Sequence, residues 1–161
     1  MTAEEWALAV SAFFSGLASG LLGMLNAIMR PMLAEMDGRD FRSWMDAFYR
    51  FASKSWGKVF NYAWAAGMTL GPIAALIFLW DDPGSASFVL TAIGLGIVIV
   101  GVHVVSDVWK TPNYKRILAS DPDARPADLE AGRRRYFAIN AIQLAVTWAA
   151  FALFLVALVY V

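Results

Sequence analysis

The chain contains four apolar stretches that are each long enough to cross a lipid bilayer, and this constrains its fold more than any other feature. They cover residues of about 6–29, 57–80, 86–109 and 136–161. An α-helix rises about 1.5 Å per residue, so roughly 20 apolar residues cover the ~30 Å of bilayer hydrocarbon. Hydrophobic residues make up 60% of the chain and charged residues only 16%. The sequence therefore predicts an all-α, polytopic membrane protein: a bundle of four transmembrane helices that forms one domain, residues 1–161.

All thirteen Lys and Arg residues lie in or beside two of the segments that flank these stretches. Around the segment between the first and second stretches lie Arg30, Arg39, Arg42, Arg50, Lys54 and Lys58. Between the third and fourth stretches lie Lys110, Lys115, Arg116, Arg125, Arg133, Arg134 and Arg135. Because basic residues resist translocation, we expect both basic segments in the cytoplasm and both termini outside, in a plasma membrane such as the bacterial inner membrane.

The first basic segment has the apolar spacing of a helix over about residues 39–54. Its apolar positions are Phe41, Trp44, Met45, Phe48, Tyr49 and Ala52, and charged residues occupy much of the remaining surface. This pattern predicts an amphipathic helix lying at the membrane interface. A lid over a cytoplasmic opening is the alternative interpretation of the same helix.

Two prolines flank the basic segments and predict interruptions of the neighbouring helices. Pro31 follows the first apolar stretch and predicts that this helix kinks or ends there. Residues 111–113, Thr-Pro-Asn, are expected in the second cytoplasmic loop. Near the other end of the second stretch, the Gly71–Pro72 pair predicts a kink.

Polar residues inside the apolar stretches concentrate near the basic ends. The set comprises Asn26, Asn61, His103, Asp107, Asn140 and Gln143. A polar group in hydrocarbon needs a partner, so these side chains are expected to face inward and meet one another. They would form either a hydrogen-bonded network that specifies helix packing or a polar pocket open toward the cytoplasmic leaflet.

His103 is the single histidine of the sequence, and Asp107 follows it by four residues. On an α-helix the two side chains would share a face, so that Asp107 could orient the imidazole for service as a general base or proton relay. A structural hydrogen bond is the alternative. The chain has no cysteine, and one histidine with one aspartate is a poor ligand set, so no metal site is expected.

Four short segments resemble the DUF1772, or anthrone oxygenase-like, membrane proteins. They are FSGLASG at residues 14–20, IMRPML at 28–33, TPNYKRI at 111–117 and RYFAIN at 135–140. The resemblance implies a small four-helix membrane protein, with some relatives oxidising anthrones to anthraquinones without a metal or organic cofactor. Its family-like positions here are Pro31, Pro112, Asn113 and Asn140. Gln143 stands where the family pattern has an arginine.

The resemblance suggests an oxygenase-like enzyme that acts on a lipophilic aromatic substrate and uses no cofactor. His103 would be the base and Asp107 its orienting partner. An anthrone has an acidic C–H bond, and its carbanion reacts with dioxygen directly, so the protein would need only to position it and stabilise the anion. The predicted ligand-binding residues are Asn26, Arg30, Asn61, Trp64, Asn113, Asn140, Gln143 and Trp148.

The alternative function is a non-enzymatic subunit, or a component that binds a small ligand or a lipid, within a larger membrane complex. Its expected partners are the lipid bilayer, a lipophilic small molecule, and either another membrane protein or further copies of the chain. The basic segments carry no nucleic-acid-binding signature, so no nucleic-acid partner is expected. A transporter or channel is less favoured, because the spans show no inverted repeat and no polar stripe crosses the outer half.

Overall fold

The computed structural model describes residues 1–120 and 126–161, and every regular element in those two ranges is helical. This confirms the all-α class. The α-helices are α1 (Ala3–Met24), α2 (Arg30–Glu35), α3 (Gly38–Ala52), α4 (Ser55–Phe78), α5 (Ala86–Val98), α6 (Thr111–Ala119) and α7 (Pro126–Val159). Three π-helical segments join some of them: Leu25–Met29, Ile99–Val104 and Ser106–Lys110. Arg125, one of the basic residues of the second segment, lies outside the described residues.

Three continuous helical stretches are long and apolar enough to cross a membrane. They are Ala3–Glu35, Ala86–Ala119 and Ala127–Val159, and they support an integral membrane protein. Helix α4 has 24 residues but is not among the three, since Lys58, Asn61 and Pro72 interrupt its apolar sequence. A fourth span through α4 stays a prediction.

The prolines do not end the helices in which they lie. Leu25–Met29 forms a π-helical turn just before Pro31, and the chain then continues as α2 to Glu35. Ser106–Lys110 does the same before Pro112, and α6 continues to Ala119. A proline removes one backbone N–H donor, and the wider π turn lets the chain pair five residues apart instead of four. Residues 111–113 are therefore helical and lie in α6, and their position in a cytoplasmic segment stays a prediction.

The apolar half of the molecule is a tightly packed assembly of α1, α4, α5 and α7. Its core contains the fully buried Met68, Val98 and Phe154. Gly94 lets α5 approach α7 closely, since a Cβ atom there would lie 2.6 Å from the Phe154 ring. Inside a bilayer the hydrophobic effect does not drive helices together, and small residues strengthen helix association by letting the backbones approach closely.

Helix α3 packs against α6 and the first part of α7. We call the region formed by α2, α3, residues 106–119 and residues 126–143 the basic end. Phe41 and Met45 point into a buried aromatic cluster with Tyr136, and Asp37 caps the helix by accepting from the main-chain N–H groups of Arg39 and Asp40 at 2.8 and 2.9 Å. The helix occupies the range where the apolar spacing predicts one. Its position at a membrane surface stays a prediction.

Two arginines of the basic end bind free carbonyl groups at helix ends. Arg42 donates to the carbonyls of Leu118 and Ser120, both at 3.0 Å, at the end of α6. Arg133 on α7 donates through Nη1 to the carbonyls of Leu33 at 3.2 Å, Ala34 at 3.1 Å and Met36, at the end of α2. The last carbonyls of a helix have no partner within it, so these arginines hold the basic end together.

Candidate functional site

One face of α7 is polar and buried. Tyr136, Asn140, Gln143 and Thr147 recur every three or four residues, and each is at most 3% exposed. At 3.6 residues per turn, this spacing places all four on the same side of the helix. The side chains therefore point into the protein rather than toward lipid.

Gln143 is the centre of a network between α7 and the helix that precedes α6. Its Oε1 accepts from Lys110 Nζ at 2.8 Å. Its Nε2 donates to Ser106 Oγ at 2.9 Å and to the Val102 carbonyl at 3.4 Å. Ser106 and Lys110 both belong to the π-helical segment Ser106–Lys110, which turns the lysine toward α7. Both hydrogen-bonding groups of the buried amide are thereby satisfied.

The network continues toward the basic end through two tyrosines. Lys110 Nζ lies 6.0 Å from the centre of the Tyr114 ring, within cation–π range. The Tyr114 and Tyr136 rings have their centres 5.8 Å apart. Three further rings contact that of Tyr136, those of Phe41, Trp44 and Phe137, with centroids at 5.7, 6.3 and 5.6 Å. Polar atoms at this point are enclosed by aromatic walls.

Several buried polar atoms in this region have no hydrogen-bond partner among the described residues. They are the Tyr136 hydroxyl and both side-chain amide atoms of Asn140. The Tyr136 hydroxyl lies beside the Asn140 and Tyr114 side chains, but without the distance and angle of a hydrogen bond. Asn26 reaches Asn140 but donates to its main-chain carbonyl, at 3.3 Å, and to the Leu22 carbonyl at 2.8 Å. Leaving a buried donor or acceptor unpaired costs about 1–3 kcal/mol. We refer to Ser106, Lys110, Tyr114, Tyr136, Asn140 and Gln143 as the polar cluster.

His103 contacts α4 instead of the polar cluster. Its Nε2 lies 2.8 Å from Thr69 Oγ1, and Thr69 Oγ1 donates to the Ala65 carbonyl at 2.9 Å. The single hydroxyl hydrogen of Thr69 can point either to the Ala65 carbonyl or to His103 Nε2, and the tautomer of the neutral imidazole differs between the two arrangements.

The structure does not bring Asp107 to His103. Asp107 is exposed, and it has no hydrogen bond or ion pair with His103 in the described part of the chain. Both lie where the chain is π-helical, so the face expected from a 3.6-residue repeat does not apply. Thr69 occupies the orienting position that the sequence assigned to Asp107.

Three other predicted ligand-binding residues lie on the surface. Asn61 is exposed on α4. Trp148 is 54% exposed and contacts Phe151 edge to face. Arg30 is exposed, with its guanidinium carbon 5.6 Å from the centre of the Phe137 ring. Their spacing along the chain does not predict the side of the helix on which they lie, and their depth in a membrane stays a prediction.

The remaining predicted residues are at least partly buried. Trp64 packs against the apolar core, and its Nε1 has no partner among the described residues. Asn113 is 2% exposed and donates to the Gly132 carbonyl at 3.1 Å. Of the predicted set, only Asn26, Asn140 and Gln143 lie at or beside the polar cluster.

Sequence reasoning missed Ser106, Lys110 and Tyr114. They recur every four residues, but that spacing does not predict their common side, because Ser106–Lys110 is π-helical. Lys110 was instead counted among the basic residues that set topology. In the described ranges, no group of three or more His, Asp or Glu side chains is placed to hold a metal ion.

Comparison with known proteins gives no relative from which to transfer a function. No family model, no curated protein and no solved structure significantly matches this chain. The functional argument therefore depends on the geometry of the chain itself.

Proposed function

We propose that this protein binds the polar end of a lipophilic aromatic compound in the polar cluster. The observation that supports this most is the set of unpartnered atoms on Tyr136 and Asn140, both at most 2% exposed. A network that served only packing would be expected to satisfy these atoms, as it does for Gln143. A ligand that pairs with them recovers the free energy that their burial costs.

The donors and acceptors of the cluster define the ligand class. The Tyr136 hydroxyl and Asn140 Nδ2 can donate to a carbonyl oxygen, and Asn140 Oδ1 can accept from a hydroxyl. The rings of Phe41, Trp44 and Phe137 surround Tyr136 and match a flat aromatic ring system. A hydroxyquinone or a related phenolic ketone has this combination of groups.

The proposed setting is a four-span protein in a plasma membrane, with α4 as the fourth span, α3 at the interface and the basic segments in the cytoplasm. The segregation of all thirteen Lys and Arg residues supports the orientation. The polar cluster would then lie near the cytoplasmic surface of the bilayer, where a lipophilic compound can enter from the membrane.

Replacing Tyr136 with phenylalanine tests the binding site. Tyr136→Phe removes a buried hydroxyl that makes no well-formed hydrogen bond with the described residues, although it lies beside the Asn140 and Tyr114 side chains, so we expect a folded protein with little change in stability. Binding of a hydroxyanthraquinone, measured by tryptophan fluorescence quenching in mild detergent, should weaken about tenfold. Tyr62→Phe is the matched control, because Tyr62 is 74% exposed. Equal affinities for both variants would refute the proposed site.

A second candidate is the oxygenase-like reaction that the family resemblance implies. The favouring observation is the hydrogen bond between the His103 imidazole and the Thr69 hydroxyl, which holds the ring against α4. The neutral imidazole would accept the C–H proton of an anthrone, the carbanion would add dioxygen, and the peroxide formed would lose water to give the anthraquinone. Oxygen uptake with an anthrone should be lost in His103→Gln and retained in Asp107→Asn, because Asp107 is exposed. Uptake that survives His103→Gln would eliminate this role.

A further inference from the structure

A second candidate site lies on a different face of α7 from the polar cluster. A half-open groove of about 420 Å³ runs between this face and the chain leading into α6. Trp109, Ile139 and Ile142 are among its apolar lining residues, and Arg116 and Arg135 border it together with Asn113. The groove continues into a cavity of about 260 Å³ that shares Asn113 and both arginines.

The lining of the groove changes from apolar to basic along α7. Ile142 is 42% exposed and Trp109 52% exposed, as expected for side chains that contact lipid tails. Arg135 lies two turns nearer the start of α7 than Ile142. Arg116 and Arg135 are both exposed. Tryptophan and arginine beside an apolar stretch are typical of the membrane–water boundary. The groove thus has the polarity of an amphiphile, with a cationic end and an apolar end.

Asn113 adds a directional polar atom to the cationic end. Its Nδ2 is fixed by the hydrogen bond to the Gly132 carbonyl at 3.1 Å. Its Oδ1 is buried and has no partner among the described residues, although Asn113 lines both parts of the groove. An amide oxygen can only accept, so it calls for a hydroxyl or N–H group on whatever occupies the groove.

We propose that this groove binds an anionic phospholipid whose head group carries hydroxyl groups. Arg116 and Arg135 hold the phosphate, for which planar guanidinium groups are well suited. Asn113 Oδ1 accepts from a head-group hydroxyl, and an acyl chain lies along Trp109, Ile139 and Ile142. Asp128 also borders the smaller cavity. The charges of Arg116, Arg135 and Asp128 add up to one positive charge, which matches the single negative charge of a phosphodiester. The site is independent of any ligand in the polar cluster.

Native mass spectrometry of the detergent-purified full chain, titrated with defined lipids, tests the proposal. The wild type should bind phosphatidylglycerol about tenfold more tightly than phosphatidylcholine, and the Arg116→Gln/Arg135→Gln double variant should lose this preference. Arg134→Gln is the matched control, since Arg134 is exposed and pairs with Glu130 at 3.8 Å; its affinity should change less than twofold. A preference equally reduced in the control, or retained in the double variant, would overturn the site.

Two further probes distinguish the parts of the ligand. Phosphatidylmethanol carries the same phosphodiester charge without head-group hydroxyls, and the wild type should bind it about fivefold more weakly than phosphatidylglycerol if Asn113 acts as the acceptor. Glycerol phosphate carries the head group without acyl chains and should not compete at equal concentration. Effective competition by glycerol phosphate would make this a site for soluble phosphates and contradict the lipid proposal.

Discussion

The apolar half and the basic end of this protein differ in how most of their polar side chains are satisfied. In the apolar half, Ser11, Ser19 and Thr91 donate to carbonyls four residues earlier in their own helices, at 2.7–2.8 Å. At the basic end, side chains reach across helices: Lys110 donates to Gln143 across 33 positions of sequence. The apolar half is thus held mainly by packing, with a few cross-helix bonds such as that from Ser87 to the Ala157 carbonyl at 3.1 Å, whereas the basic end depends more on specific long-range hydrogen bonds.

Buried polar atoms without a partner are more numerous at the basic end, although Ser15 Oγ and Trp64 Nε1 in the apolar half also have none among the described residues. The apolar half closes on glycine–aromatic contacts, such as Gly94 against Phe154. The basic end contains Tyr136 and Asn140 with buried atoms that no described residue pairs, and the neighbouring groove has an unpaired Asn113 oxygen. Under the proposed function, this concentration of unpaired polar atoms at the basic end is where a ligand binds.

The largest expected effect comes from removing a cross-helix arginine. Arg133→Met removes the donor for the carbonyls of Leu33, Ala34 and Met36 and should lower the free energy of unfolding by about 3 kcal/mol. Thermal unfolding in mild detergent measures this against Arg134→Met, whose side chain is 74% exposed. If both variants lose the same stability, the basic end does not depend on this contact.

A smaller effect is expected from crowding the apolar half. Gly94→Ala places a Cβ atom 2.6 Å from Phe154 and should destabilise the protein by about 2 kcal/mol through overpacking. Gly96 lies on the same helix, and a Cβ atom there meets nothing within 4 Å, so Gly96→Ala should leave stability equal or slightly higher. The midpoints of thermal unfolding of the two variants, each compared with that of the wild type, test this prediction. Equal losses would show that the Gly94 contact is not closely packed.

The sequence predicted the helical class and the helix around residues 39–54 because apolar periodicity and length carry that information. The depth of Asn140 and Gln143 in a membrane stays a prediction. The sequence could not predict that Lys110 points inward or that Thr69 contacts His103. His103 and Lys110 lie in π-helical segments, which rotate the side chains away from the positions of an α-helix. The only sequence signal for these π-helical segments is Pro112, which follows the second of them.

The roles of the arginines were also beyond a pattern-based prediction. Arg42 and Arg133 were recognised only as basic residues that set orientation, yet each binds carbonyl groups at the end of another helix. Tertiary packing decides which side chain contacts which helix end. The distribution of charge along the sequence carries no information about these contacts.

Replacing Asn140 with leucine is the most direct test of whether the basic end is a binding layer. Asn140→Leu replaces two unpaired buried polar atoms with apolar ones and leaves the main-chain carbonyl that Asn26 uses. We predict that the ligand-free protein becomes more stable to unfolding by about 1 kcal/mol, while binding of a hydroxyanthraquinone is lost. A loss of stability of that size or more, with binding unchanged, would show that Asn140 belongs to a closed packing network and would contradict this account.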